Sequence, residues 1–319
     1  MRIAILGCGS IGQRHLSNLQ GLGYGDLVAF DPVAQSRDDV ARQYDVAVSA
    51  TLEKVWIQQP QVVLVTAPSN LHLDLAMEAA HHGCAIFIEK PLSHALGGIE
   101  NLLGEIQRRN LITMVGCNMR FHPGPAQVKQ CIDDGTVGTV LAARIQTGSY
   151  LPRWRPWQDY RHSYSASVEW GGAVLDCIHE LDLALWLLGE ASLRVAVTRP
   201  ANSLGLQTDG LAELLLEHSS GAVSSVHLNF VQRNYRRSIE IIGSDGTIEW
   251  DFTTGHVDMY GRDGDLATRA PQPDGWTVND MYRDEMAYFM QHVQEARPTC
   301  NPVALAVQTL ALALAARKA

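Results

Sequence analysis

The sequence predicts an α/β protein in two parts: a doubly wound parallel sheet over residues 1–120, then an α+β domain over residues 121–319 with a large, open, mostly antiparallel sheet. Three observations carry this. Up to about residue 120, short apolar runs alternate with helical patterns, which is how a parallel sheet covered on both faces reads. Beyond residue 190, strand-like runs follow one another with turns between them instead of helices. The chain has 319 residues, enough for two cores.

In order, "RIAILG" is a strand and "IGQRHLSNLQGLG" a helix stopped by glycine. "DLVAFD" and "AQSRDDVARQY" repeat the pair. "QVVLVTA" leads into "LHLDLAMEAAHHG", again stopped at Gly83. "CAIFIE", "HALGGIENLLGEIQRRN" and "ITMVGC" complete five strands and four helices. Right-handed crossovers wind these into one sheet. "PAQVKQCIDDG" is a helix and "TVLAARIQTG" a strand. An irregular stretch rich in Trp, Arg and Tyr follows, then a helix over about 172–188. Strand-like runs come at 193–199, 211–218, 221–230, 237–243, 246–252 and 256–260, with "GSDGT" a hairpin turn. "VNDMYRDEMAYFMQHVQEA" and the Ala/Leu-rich tail are helices, the tail a packed core helix and not a membrane span.

Composition narrows the partners. Hydrophobic residues make up 46% and charged residues 18%, with net charge -9. An acidic surface argues against nucleic acid or an anionic membrane held by bulk electrostatics. The six cysteines stand at no metal or redox spacing and no CxxC occurs, so thiols in a reducing cytoplasm and no metal are expected. "MRIAIL" reads as a strand and not a secretory leader.

"GCGSIG" places Gly7, Gly9 and Gly12 in G-x-G-x-x-G order between a strand and a helix, the context in which this motif is informative. Gly7 permits the tight turn and Gly9 lets the backbone approach a pyrophosphate. Gly12 lets helix and strand pack closely. Ser10 and Ile11 complete the helix N-terminus that faces the phosphates. Asp31 closes the second strand nineteen residues past Gly12, where a carboxylate accepts both ribose hydroxyls. A 2′-phosphate would meet a like charge there, so NAD is expected; Arg37 keeps NADP as the second choice. Thr66 and Pro68 end the next strand and join this cofactor set. His72, His81 and His82 read as helix-surface residues, with His72 alone near the adenine or ribose.

"FIEKPLS" then poses a question, because a buried strand ends in Glu89, Lys90 and Pro91. In a doubly wound sheet, ligands sit beyond the carboxyl ends of the strands. Lys90 therefore points at the cofactor crevice.

The order of the phosphate loop, "TAPSNLHLDLAMEAAHHG", "FIEKPLS", "CNMRFHP", "GGAVLDCIHELDLALWLLG" and "IEIIGSDGTIEWD" resembles the Gfo/Idh/MocA family of nicotinamide-dependent oxidoreductases over nearly the whole chain. The resemblance implies a Rossmann lobe and a substrate lobe. It implies that Lys90 meets a substrate hydroxyl or carbonyl beside the nicotinamide, where an ammonium stabilises a developing alkoxide or passes a proton. Glu89 is then a supporting partner or a cofactor contact. Asp176, His179 and Asp182 recur at three-residue steps, on one face of a helix. His179 is the expected general acid/base, with Asp176 holding it or a substrate hydroxyl. The commoner family pattern has Asp and His four apart, so the place of Asp176 is the less secure. Asp182 is read as structural, and the choice between Lys90 and His179 as base stays open.

"YLPRWRPWQDYR" gathers Trp154, Arg155, Trp157 and Arg161 ahead of that helix. Aromatic faces stack on sugar rings, and Arg forks bind carboxylate or phosphate. A sugar, sugar acid or cyclic polyol carrying an anionic group such as a carboxylate or nucleotide diphosphate is the expected substrate; a subunit contact is the alternative use of the loop. Arg120 follows the last parallel strand, a cofactor, substrate or interdomain contact. The exposed face of the second sheet predicts a homodimer or homotetramer. The expected activity is hydride transfer between NAD(P) and a secondary hydroxyl. The alternatives are an NAD-dependent glycosidase using transient redox, or a non-catalytic NAD sensor.

Overall fold

The computed structural model describes residues 1–319, which divide into two compact units. The first comprises Met1–Asn118 with Val278–Val307, the second Met119–Thr277 with Gln308–Ala319.

In the first unit the strands are β1 (Ile3–Leu6), β2 (Leu27–Phe30), β3 (Ala47–Ser49), β4 (Val62–Val65), β5 (Ala85–Glu89) and β6 (Thr113–Gly116). They form one sheet in the order β3-β2-β1-β4-β5-β6, every pair parallel. This is the two-half Rossmann winding, whose order reverses between β1 and β4. Every residue of β1 and β4 is buried, as their unbroken apolar runs require. The helices are α1 (Ser10–Gly21), α2 (Ala34–Tyr44), α3 (Leu52–Trp56), α4 (His72–His81) and α5 (Ile99–Arg109). The short β3 and α3 leave no mark in the hydrophobic pattern, because two of the three β3 residues are exposed.

In the second unit, α6 (Pro123–Asp133) precedes β7 (Val140–Tyr150). Then come α7 (Ala173–Asp176), α8 (His179–Leu188) and seven strands: β8 (Ala191–Pro200), β9 (Asp209–His218), β10 (Val223–Asn229), β11 (Val231–Gly243), β12 (Thr247–Asp251), β13 (Val257–Tyr260) and β14 (Leu266–Ala270). The sheet order is β14-β13-β12-β11-β7-β10-β9-β8. Only β7 and β10 run parallel; every other neighbouring pair is antiparallel. The inner face carries Ile145, Leu214, Leu216, Val226, Ile239, Ile241 and Ile248, all buried, under α6 and α8. "GSDGT" makes the β11–β12 hairpin, with Ile242 opposite Thr247.

Two linear readings change. The helix α9 (Val278–Gln294) and the start of α10 (Val303–Lys318) belong with the first unit, not with residues 121–319. Packing draws them back: Phe289 meets Phe87 of β5 at 5.4 Å, and Asn301 donates to the Val115 carbonyl at 2.9 Å. The helix read over 172–188 is broken. The α7 turn ends at Asp176, Cys177 leaves helical geometry at φ -94°, ψ 30°, and α8 starts at His179. No helix is long and apolar enough to cross a membrane.

Candidate active site

The cofactor crevice of the first unit is built from backbone shape. Gly7 sits at φ +114°, and a Cβ there would lie 2.6 Å from the Ala67 nitrogen. A Cβ on Gly12 would lie 1.9 Å from the Gly7 oxygen, so only glycine lets α1 start this close to β1. Thr66 braces the same loop, its hydroxyl donating to the Gly7 and Leu6 carbonyls at 2.7 and 3.2 Å. Its side chain shapes the loop instead of reaching outward. Gly9 and Ser10 are exposed at the opening of α1, and Ile11 is half-buried.

Asp31 is aimed before any ligand arrives. Its Oδ2 accepts the Cys8 amide and its Oδ1 the Val33 amide, both at 2.9 Å. The Arg37 guanidinium donates to the Asp31 carbonyl at 2.6 Å, which holds a cation beside the ribose end. Burial, with the Asp31 charge adding, pushes the Cys8 thiol up to about 12, so it stays protonated. These groups suit NAD: a bare helix N-terminus for the pyrophosphate and a fixed carboxylate for the ribose.

At the end of β5, Glu89 is buried and Lys90 half-buried. Glu89 Oε1 lies 2.6 Å from His15 Nε2, and its Oε2 accepts the Lys90 amide at 3.2 Å. The Lys90–Pro91 peptide is cis. His72 is not a surface residue. It is 1% exposed, with Nδ1 at 2.8 Å from the Pro91 carbonyl and Nε2 at 2.7 Å from the Ala67 carbonyl. Both ring nitrogens are spent on backbone. Pro68 is exposed beside this contact.

One residue of this crevice escaped the sequence reading. Tyr282 of α9 lies under the Arg14 guanidinium at 4.3 Å and bonds the Asn118 side chain. Burial, then the Glu89 charge, pushes its phenol up. Its only sequence signal is a tyrosine on the buried side of a helix far along the chain from β6, and that side reads as core.

In the second unit, Asp176 (5% exposed) and His179 (9%) flank the break between α7 and α8. The break separates Asp176 from α8, where His179 and Asp182 stay one turn apart. The α7 turn is fixed from β9: Asp209 Oδ2 accepts the Val174 amide at 2.8 Å, and its Oδ1 accepts Arg317 Nε at 2.9 Å. Burial still raises the Asp209 carboxyl above its usual range. Asp182 is structural. It binds Arg120 in a buried two-point pair at 2.7 and 2.8 Å. Glu180 holds Arg237 at 2.6 Å in a second buried pair.

The aromatic loop divides. Trp154 and Arg155 line one small cavity with Tyr160 and the fully buried Ser165. Trp154 donates to Ser149 Oγ at 2.9 Å and meets Phe230 edge-on at 5.1 Å. Trp157 is 77% exposed and lines no part of it. Arg161 turns back on Asp159 at 3.0 Å.

A Rossmann unit with this loop, carboxylate and strand-end lysine, followed by a large open sheet, defines the class of two-lobed nicotinamide-dependent oxidoreductases. Two family models match. Residues 1–117 fit the oxidoreductase family with NAD-binding Rossmann fold, and residues 126–249 fit the GFO/IDH/MocA C-terminal domain. The chain belongs to the Gfo/Idh/MocA family of oxidoreductases, and its cofactor is NAD. It is 28% identical over 330 aligned residues to a myo-inositol 2-dehydrogenase of Thermotoga maritima, covering 100% of this chain and 96% of the relative. It is 29% identical over 259 residues to a scyllo-inositol 2-dehydrogenase (NAD(+)) of Bacillus subtilis, covering 78% and 73%. Among solved structures, levoglucosan dehydrogenase in complex with NADH and levoglucosan superposes with TM-score 0.88 at 20% identity, covering 100% and 96%. UDP-N-acetylglucosamine 3-dehydrogenase from Acidithiobacillus ferrooxidans gives 0.84 at 21%, covering 100% and 97%. At these identities the structural matches establish the fold.

Proposed function

We propose that the protein is an NAD-dependent dehydrogenase of a neutral cyclic polyol or sugar, acting on a secondary hydroxyl. The observation that carries this reading is Lys90, held at the carboxyl end of β5 in the unit that carries the phosphate loop and Asp31. The names of the inositol and levoglucosan relatives support the substrate class.

Gly7, Gly9, Ser10, Ile11, Gly12 and Asp31 would hold NAD, which would supply the hydride acceptor for the carbinol carbon. The Lys90 ammonium stabilises charge on the substrate oxygen. His179 takes the hydroxyl proton and Asp176 orients it. Carboxylates of the protein itself engage two of the arginines that an anionic substrate would need. Arg120 is neutralised by Asp182 and Arg161 by Asp159, which leaves Arg155 against the Tyr164 ring at 5.1 Å. Trp154 then offers a ring face or edge to a sugar. Exposed Val195, Leu215 and Val223 on the outer face of the second sheet support self-association as a homo-oligomer. Six free thiols suit the cytoplasm.

The test is NADH formation with a panel of inositols, anhydrosugars, uronates and nucleotide sugars. Neutral polyols should reduce NAD, and uronates should not. Lys90→Met should bind NAD as the parent does and lose about 10³-fold in kcat. Sugar release from an aryl glycoside without net NADH would favour the glycosidase reading instead.

A further inference from the structure

Two buried histidines, on two different helices, grip the turn that carries Lys90. His72 opens α4, and its ring bridges two successive strand-end loops. It reaches the Ala67 carbonyl after β4 at 2.7 Å and the Pro91 carbonyl after β5 at 2.8 Å. His15 comes from α1, the helix that the phosphate loop opens. It holds Glu89 at 2.6 Å, and Glu89 in turn accepts the Lys90 amide at 3.2 Å. The residues before and after Lys90 are thus each tied to a different helix of the sheet.

The chemistry of the His72 contacts says more. A carbonyl oxygen only accepts, and a neutral imidazole has one N–H to give. A ring facing two carbonyls completes both bonds only as imidazolium; as neutral imidazole it sets a lone pair against one oxygen. Burial, the largest influence, pushes the His72 pKa down and Lys90 adds to that, against the two carbonyls and Glu89, which push it up. A group this costly to bury is kept where two loops must hold a fixed separation. A residue that merely filled space here would be apolar, as its neighbours Leu75 and Ala76 are.

We infer that His72, together with the His15–Glu89 pair, is a positioning device that fixes Lys90 relative to the phosphate loop. The inference rests on Lys90 acting on the substrate hydroxyl. Misplacing a catalytic group by a fraction of its reach slows the chemical step more than it weakens binding.

The experiment compares His72→Phe, His72→Gln, His15→Gln and Lys90→Met in the full-length protein. It measures NAD affinity by fluorescence titration, kcat per NAD-binding site with a cyclic polyol, and the deuterium isotope effect from polyol labelled at the carbinol carbon. Expected for His72→Phe is a kcat lowered about 10- to 100-fold. NAD affinity should be unchanged within about threefold, and the isotope effect larger because hydride transfer has become limiting. His72→Gln, which keeps a donor, should recover part of kcat. His15→Gln should act in the same sense and more weakly. Should His72→Phe fail to fold, the Gln variants carry the same readouts. Parental kcat and isotope effect in the folded histidine variants, with Lys90→Met inactive, overturn the positioning role alone. A Lys90→Met protein with parental turnover overturns the functional reading beneath it.

Discussion

The two units hold their working side chains by different means. In the first, positions follow from backbone: a glycine that admits no Cβ, Asp31 fixed by the Cys8 and Val33 amides, His72 between two carbonyls. In the second, they follow from buried ion pairs between distant segments. Arg120 meets Asp182, Arg237 meets Glu180, and Arg317 meets Asp209 beneath α7. The difference separates what a substitution damages. Changing a side chain at the end of a backbone-built loop removes chemistry and leaves the fold. Removing one member of a buried pair strands a charge and weakens the fold itself.

On the proposed function, the largest effect should come from Lys90 and His179, the charge-stabilising and proton-accepting groups. Lys90→Met and His179→Asn should each lower kcat by about 10²- to 10⁴-fold. If both serve one substrate hydroxyl, the double variant should lose little more than the worse single variant, because groups acting as a unit are not additive. Steady-state kinetics of the three proteins decides it; fully multiplicative losses would mean separate roles.

Next is the stability arm. Arg120→Ala leaves Asp182, 1% exposed, without its two donors. Loss of about 3–5 kcal/mol is expected in denaturant unfolding. Arg120→Met with Asp182→Leu should restore most of it. A single variant as stable as the parent would show that the pair contributes nothing.

His122 gives a smaller, pH-dependent effect in the same unit. It accepts the Gly124 amide at 3.0 Å at the start of α6 and packs against Trp250 and Trp276. Burial, then the Arg237 charge, pushes its pKa down to about 3. The unfolded chain binds the proton below about 6.5 and the folded one does not, so stability is full above that pH and falls toward pH 3. By pH 5 the loss is about 2 kcal/mol. His122→Asn keeps a capping acceptor and cannot titrate, so its stability should fall less between pH 7 and pH 5 than the parent's. Parallel unfolding curves at the two values would remove the assignment.

The same division explains what could be read beforehand. The first unit was legible because its site is local. "GCGSIG", Asp31 and "FIEKPLS" each lie at one strand end, and the parallel winding alone brings strand ends together. Where it failed, the cause was tertiary. His72 carries a surface-like position in the pattern, yet its ring is drawn between loops, and Tyr282 arrives on a helix from the far end of the chain. In the second unit the strand series was legible from alternation, as in Ala212, Leu214 and Leu216 turned inward. The break at Cys177 was not, since a helical period of three or four runs through it unaltered. Nor was Arg120 with Asp182, 62 residues apart, because an arginine fork gives no sign of whether its carboxylate is in the protein or the substrate.

The smallest effect sharpens the first half of the comparison. If backbone aims Asp31, replacing its carboxylate should change which cofactor binds and leave the loop intact. Asp31→Ser removes the charge that a 2′-phosphate would meet, while Arg37 stays anchored to the residue 31 carbonyl, which the substitution keeps. Affinity for NAD should fall and that for NADP rise, moving the ratio of kcat/KM values by about tenfold or more toward NADP, roughly 1.4 kcal/mol. Arg37→Ala on top of it should cancel the NADP gain with little change for NAD. Kinetics with both cofactors and thermal unfolding of the same proteins test the two halves at once. A changed preference with an unchanged Tm is the signature of a site built on backbone. A lowered Tm with an unchanged preference would mean that Asp31 is a structural cap on the Cys8 and Val33 amides and that cofactor choice is made elsewhere.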